Sequence, residues 1–176
     1  MTVEATSPDI PAVVAGRFRL VRLLAAGGEA EVHLAQDLEL DLDVVVKTRR
    51  IVDAVDVERL RREAGLLMRL VSHPGLPTVR SDLVDDDRYY MISDYVAGND
   101  LQSLVAAGDG VGLPLPTVLD LIEQLGRTLD HLHGHSPPVV NGDVKPENVV
   151  VTSEGRAVLV DFGEAMRVGD DRERLG

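Results

Sequence analysis

Apolar and polar positions alternate and then change period along this chain. Residues 18–24 form an apolar segment that leads into a small-residue turn at 25–30, and a second strand-like run follows at 31–35. Acidic turn residues at 37–43 separate it from Val44-Val45-Val46-Lys47. Three short strands with close turns predict an antiparallel meander. Leu60, Ala64, Leu67 and Val71 then recur at helical spacing within a charged stretch, and His73-Pro74-Gly75 is expected to end that helix. Two further strands are expected at 78–83 and 88–95, joined by an acidic turn at 85–87. A long helix is expected to start near Pro116, where proline suits a first turn. Val118, Leu121, Ile122, Leu125, Leu129 and Leu132 form its apolar stripe. Two short valine-rich strands, 149–152 and 157–160, flank a Ser153-Glu154-Gly155-Arg156 turn and read as a hairpin.

The order is strands, helix, strands, helices, hairpin. This is an α+β pattern, with a small antiparallel sheet unit followed by a more helical one. Residues 1–16 lack any period and read as a flexible leader. Residues 17–96 and 97–176 are expected to be the two units.

Composition narrows the function classes. The formal net charge of −12 disfavours general affinity for nucleic acid or anionic membranes, both of which need excess Lys and Arg. The absence of cysteine removes disulfides and thiolate metal sites and fits a reducing, cytoplasmic setting. The N-terminal residues have neither the basic nor the apolar region of a signal peptide, and no apolar run reaches membrane-spanning length. His131, His133 and His135 resemble metal spacing, but helix geometry places only His131 and His135 on one face.

The chemistry concentrates in one segment, Asn141-Gly142-Asp143-Val144-Lys145-Pro146-Glu147-Asn148. Pro146 keeps this backbone from becoming a regular helix. An acid, an ammonium and an amide on one rigid loop suit phosphoryl transfer: the acid orients a hydroxyl, the ammonium neutralises a migrating phosphoryl group, and the amide oxygen can bind Mg²⁺. Asp161-Phe162-Gly163 follows the hairpin and offers a second hard oxygen ligand, an apolar plug and a hinge.

Over residues 17–165 the chain resembles the protein kinase family, of the serine/threonine type common in bacteria. The specific signal is the conjunction of D-x-K-P-x-N, D-F-G thirteen residues after the Asn, and an upstream lysine ending Val44-Val45-Val46-Lys47. The resemblance implies ATP and Mg²⁺ as cofactors and a protein substrate bearing Ser or Thr. It implies that Lys47 holds the α- and β-phosphates and Glu63 is its ion-pair partner. It casts Asp143 as catalytic base, Lys145 as γ-phosphate contact, and Asn148 and Asp161 as metal ligands. Ser93, Asp94, Tyr95 and Val96 resemble the adenine hinge, Val32, Val45 and Val150 would sandwich the base, and Asp100 falls where the ribose is often contacted.

Three departures bear on function. The phosphate loop reads Ala25-Ala26-Gly27-Gly28-Glu29-Ala30, keeping only Gly27 at a family glycine position, with Glu29 near the tip. Asn141-Gly142 replaces the family's His-Arg; that histidine packs beneath the Phe of Asp-Phe-Gly, and that arginine pairs with a phosphorylated activation loop. Only thirteen residues follow Gly163, so the resemblance implies a C-terminally truncated domain, with the 118–132 stripe exposed or covered by a partner or by self-association. Two other readings stay open: a pseudokinase-like nucleotide- or partner-binding module, and a kinase-fold small-molecule phosphotransferase.

Overall fold

A computed structural model describes residues 12–27, 30–70, 72–108, 112–163 and 165–167, and the Glu63 side chain is outside the description. The chain divides into two compact units. One comprises Met1–Arg69 with Thr78–Tyr95, the other Leu70–Pro77 with Val96–Gly176.

In the first unit β1 (Val13–Val14), β2 (Phe18–Ala26), β3 (Ala30–Asp37), β4 (Leu42–Arg50), β5 (Val79–Asp85) and β6 (Arg88–Asp94) form an antiparallel sheet in the order β1-β2-β3-β4-β6-β5. Alternation sorts its side chains onto two faces. His33, Ala35, Val44, Val46, Tyr90 and Ile92 are buried, and the last five pack with Val14 and Phe18. Val14 is 0% exposed and pairs with Phe18, so the expected leader over 1–16 is corrected at its C-terminal end. Two valines, ending four positions before the apolar strand, are too short a signal to separate from the Pro- and Ser-rich residues before them.

The helical spacing corresponds to α1 (Ala54–Met68), capped by Asp53, whose carboxylate accepts from the Asp56 backbone N–H at 2.9 Å. The helix ends at Met68 with Arg69 as its cap, earlier than the His73-Pro74-Gly75 segment suggested. Val71 lies outside the described residues. Leu60 and Ala64 pack with Tyr89, whose hydroxyl donates to the Leu60 carbonyl at 3.2 Å.

The second unit contains β7 (Asn99–Asp100), α2 (Leu101–Ala107), α3 (Leu115–His133), β8 (Val139–Val140), a 3₁₀ turn (Pro146–Asn148), β9 (Val149–Val151), β10 (Ala157–Leu159) and β11 (Met166–Arg167). The hairpin pairs β9 with β10, and β7 adds to the other edge of β9. Gln124 of α3 fastens the hairpin: its Nε2 donates to the Gly155 carbonyl at 3.0 Å and its Oε1 accepts from Ala157 N–H at 2.9 Å. Within the expected stripe Leu121 and Leu132 are buried, whereas Ile122 is 59% exposed, as is much of neighbouring Leu119 at 57%. Among the described residues no helix is long and apolar enough to cross a membrane.

Candidate active site

The predicted site residues fall into two groups, one in each unit. In the first unit, strand register sets the geometry. Val32 lies opposite both Ala25 and Lys47, and Lys47 lies opposite Met91. Val45 precedes Lys47 by two residues and shares its face. Ala25, Val32, Val45 and Lys47 therefore lie on one side of the sheet, opposite the side that buries Val44, Val46 and Ile92. Lys47 also lines a small crevice with Arg49, Leu60, Tyr89 and Met91. Leu60 belongs to α1, and Glu63 follows it by three residues, on an adjoining part of the helix surface.

Gly27 N–H donates to the Ala30 carbonyl at 2.8 Å and closes the base of the β2–β3 turn. Gly28 and Glu29, both named in the sequence reading, lie outside the described residues. Asp94 donates its backbone N–H to the Thr78 carbonyl at 2.9 Å, and its carboxylate is paired with Arg80. Arg80 was not foreseen, since nothing in the sequence pairs an arginine with an acid fourteen residues away.

In the second unit the loop between β8 and β9 converges on Asp143. Its carboxylate accepts from Lys145 Nζ at 2.7 Å and from Asn148 Nδ2 at 2.9 Å. Asn148 Nδ2 also donates to the Asp143 carbonyl at 2.9 Å. The ammonium of Lys145, and then the Asn148 amide, hold the Asp143 carboxyl below its ordinary value against the opposing effects of desolvation and, less, of Asp161. Reciprocally, Asp143 raises Lys145. The acid is thus ionised at neutral pH, as an acceptor of a hydroxyl proton must be.

Asp161 follows β10. The Val160 N–H donates to the Asn148 carbonyl at 2.9 Å, which brings the chain at Asp161 alongside the loop. Asp161 Oδ1 accepts from Gly163 N–H at 3.0 Å, and Phe162 is buried. The position where sequence reasoning required unnamed hydrogen-bond partners, Asn141, has them: Nδ2 donates to the Asp161 carbonyl at 2.7 Å and Oδ1 accepts from Asp143 N–H at 3.0 Å. Gly142 has φ 81°, a left-handed conformation that a side chain would strain.

Asp100 has a structural task that the ribose expectation did not anticipate. It caps α2 and accepts from both the backbone N–H and the hydroxyl of Ser103, at 2.7 and 2.6 Å. Val150 sits on β9 opposite Asp100 and Val158. Val96 lies in the extended connection after β6. Among the described residues no group of three or more His, Cys, Asp or Glu is placed to hold a metal. Instead His131 stacks on His73 with ring centroids 4.7 Å apart and meets His135 edge-on.

Residues 18–174 match the protein kinase domain. The chain belongs to the protein kinase domain family. Its kinase relatives include serine/threonine-protein kinase PrkC of Bacillus subtilis, 32% identical over 155 residues, which cover 86% of this chain and 23% of that protein. Serine/threonine-protein kinase PknA of Mycobacterium tuberculosis is 35% identical over 170 residues, covering 92% of this chain and 38% of that protein. A probable serine/threonine-protein kinase of Streptomyces coelicolor, SCO3848, is 35% identical over 167 residues, covering 91% and 24%. The matches therefore span between about a quarter and two-fifths of these kinases' lengths.

Proposed function

We propose that this chain is the catalytic domain of a serine/threonine protein kinase that transfers the γ-phosphoryl of ATP to a protein hydroxyl with Mg²⁺, in the cytoplasm. The observation that carries the reading is the ionised Asp143 carboxylate, held at once by Lys145 and Asn148.

The donor set fits Mg²⁺. Asn148 turns its Nδ2 toward Asp143, which turns the amide oxygen away from it, and Asp161 supplies a carboxylate. One or two hard oxygen ligands from the protein, with water and phosphate completing the shell, is the usual environment of this ion. Bound there, Mg²⁺ would neutralise charge on the phosphate oxygens. Asp143 would accept the hydroxyl proton, and Lys145 would move from it to the transferring phosphoryl group. Lys47, with Glu63 as its partner, would hold the α- and β-phosphates. Val32, Val45 and Val150 would enclose the adenine, with the backbone at Asp94 and Val96 reading its edge and Asp100 near the ribose. Ala25, Gly27 and Gly28 would form the phosphate loop.

Gly142 offers no guanidinium for a phosphorylated loop, and its φ of 81° already suits glycine, so activity should not require activation-loop phosphorylation. The exposed Leu119 and Ile122 on α3 would take a protein partner or a second copy.

A second reading is a nucleotide- or partner-binding module without transfer. It is favoured by Ala25 and Ala30 at loop positions where glycine allows close phosphate approach. A small-molecule phosphotransferase is disfavoured by Lys145 and by relatives named as protein kinases. Incubation with radiolabelled ATP, Mg²⁺ and a generic protein substrate separates these readings. Label on Ser or Thr that disappears in Asp143→Asn supports the kinase; Mg²⁺-dependent ATP binding without label transfer supports the module.

A further inference from the structure

Asn141 is 1% exposed and bonded at once to the backbones of Asp143 and Asp161. The orientation of its amide follows from its neighbours: the nitrogen faces a carbonyl oxygen and the oxygen faces an N–H, whereas the flipped amide would oppose like with like. Gly142 at φ 81° turns the chain so that Asp143 N–H reaches back to the side chain two residues earlier. The flanking chain closes the same loop, because β8 leads into Asn141 and pairs with β11, which follows Asp161-Phe162-Gly163.

We propose that Asn141 is a positioning residue, which fixes the segment carrying the base Asp143 relative to the segment carrying the metal ligand Asp161. This rests on the Mg²⁺–nucleotide reading above. The amide suits the task because one small planar group supplies both a donor and an acceptor, carries no charge and does not titrate. An ionised carboxylate at the same place would keep the bond from Asp143 N–H but set an oxygen against the Asp161 carbonyl. A methyl group would lose both bonds. Metal affinity, which depends on where Asp161 sits, is therefore sensitive to a side chain that need not touch the metal.

The test uses the full chain and three variants. In Asn141→Asp, the Mg²⁺ concentration for half-maximal ATP binding is expected to rise about tenfold, from the loss of one buried hydrogen bond. Asn141→His, which when neutral again offers one donor and one acceptor, is expected to recover to within about threefold. Urea unfolding of each variant separates this from a general loss of fold, which would lower the binding-competent fraction without changing its Mg²⁺ requirement. A wild-type Mg²⁺ requirement in folded Asn141→Asp overturns the proposal. A nucleotide-free readout keeps it independent of the function itself. Hydrogen exchange at the Asp143 amide should accelerate about tenfold in Asn141→Ala and stay near wild type in Asn141→Asp. If wild type fails to bind Mg²⁺–ATP, the functional reading falls, and this exchange comparison alone decides: equal rates in wild type and Asn141→Ala overturn the coupling.

Discussion

Asn148 uses a single nitrogen to grip Asp143 twice, at the carbonyl and at the carboxylate, both at 2.9 Å. The donor side of the amide is thereby spent on the Asp143 loop, which aims the acceptor side elsewhere. Removing the side chain would loosen the acid and remove the proposed hard ligand in one step. Asn148→Ala is expected to weaken Mg²⁺–ATP binding at least about tenfold, the effect of losing one good hydrogen bond or more. Titration calorimetry at fixed Mg²⁺ checks this, and an unchanged dissociation constant would remove Asn148 from the metal site.

Asp143 should separate binding from transfer. Asp143→Asn keeps the size of the side chain but cannot accept a proton, so ATP affinity should stay within about threefold while phosphoryl transfer falls roughly 10²–10⁴-fold. The pH dependence has a defined sign. Lys145 lowers the Asp143 carboxyl below its ordinary value of 3.8, so the base is fully ionised above that value and is lost only as pH falls through the depressed one. The acid limb of a kcat/KM profile attributable to Asp143, which reports the free chain in which Lys145 still holds it, should therefore lie below pH 3.8. An acid limb near neutrality would assign the base to another group.

A second carboxylate governs stability in the sheet unit. Asp37 is 1% exposed and accepts two hydrogen bonds from Arg17, at 2.9 and 2.6 Å, which join β3 to the turn before β2. Arg17 lowers its carboxyl to about 2, with the backbone N–H groups of Glu39 and Leu40 helping. The stabilisation is fully present above the ordinary value of 3.8 and is lost as pH falls through about 2. Asp37→Asn should destabilise the chain by about 1–3 kcal/mol at neutral pH, measured by urea unfolding. The difference from wild type should shrink in acid.

The sequence exposed the parts of this molecule that depend on period and on local spacing. The six longest strands or helices of the sheet unit follow from alternation or a 3.6-residue repeat, and Asp143, Lys145, Asn148 and Asp161 lie within two short motifs. Other features depend on groups far apart in sequence. The Val13–Val14 strand exists because a two-residue segment finds Phe18, and the β8–β11 pair joins Val140 to Met166. The Arg80–Asp94 pair and the Gln124 clamp on Gly155 and Ala157 likewise arise only once strands and helices have packed. Asn141 is intermediate: a buried amide in that loop demanded partners, but the sequence did not name Asp161 as one of them.

Gly98 marks a close approach near the site. A Cβ there would lie 2.3 Å from the Val151 carbonyl oxygen and 2.8 Å from Val150 Cγ1. The strand β9 that would have to shift begins directly after Asn148. Gly98→Ala is expected to destabilise the fold by about 1–3 kcal/mol and to weaken ATP binding beyond the loss of folded protein. Chemical denaturation alongside nucleotide titration checks both effects.

Mg²⁺-dependent nucleotide binding is the central property of the proposed site. Titration calorimetry of the wild-type chain with ATP, with and without Mg²⁺ and with Asp161→Ala as the control, addresses it most directly. The prediction is saturable binding that needs Mg²⁺ and is lost or weakened at least about tenfold in the variant. Absence of binding in wild type, or Mg²⁺-dependent binding that survives Asp161→Ala unchanged, would contradict it.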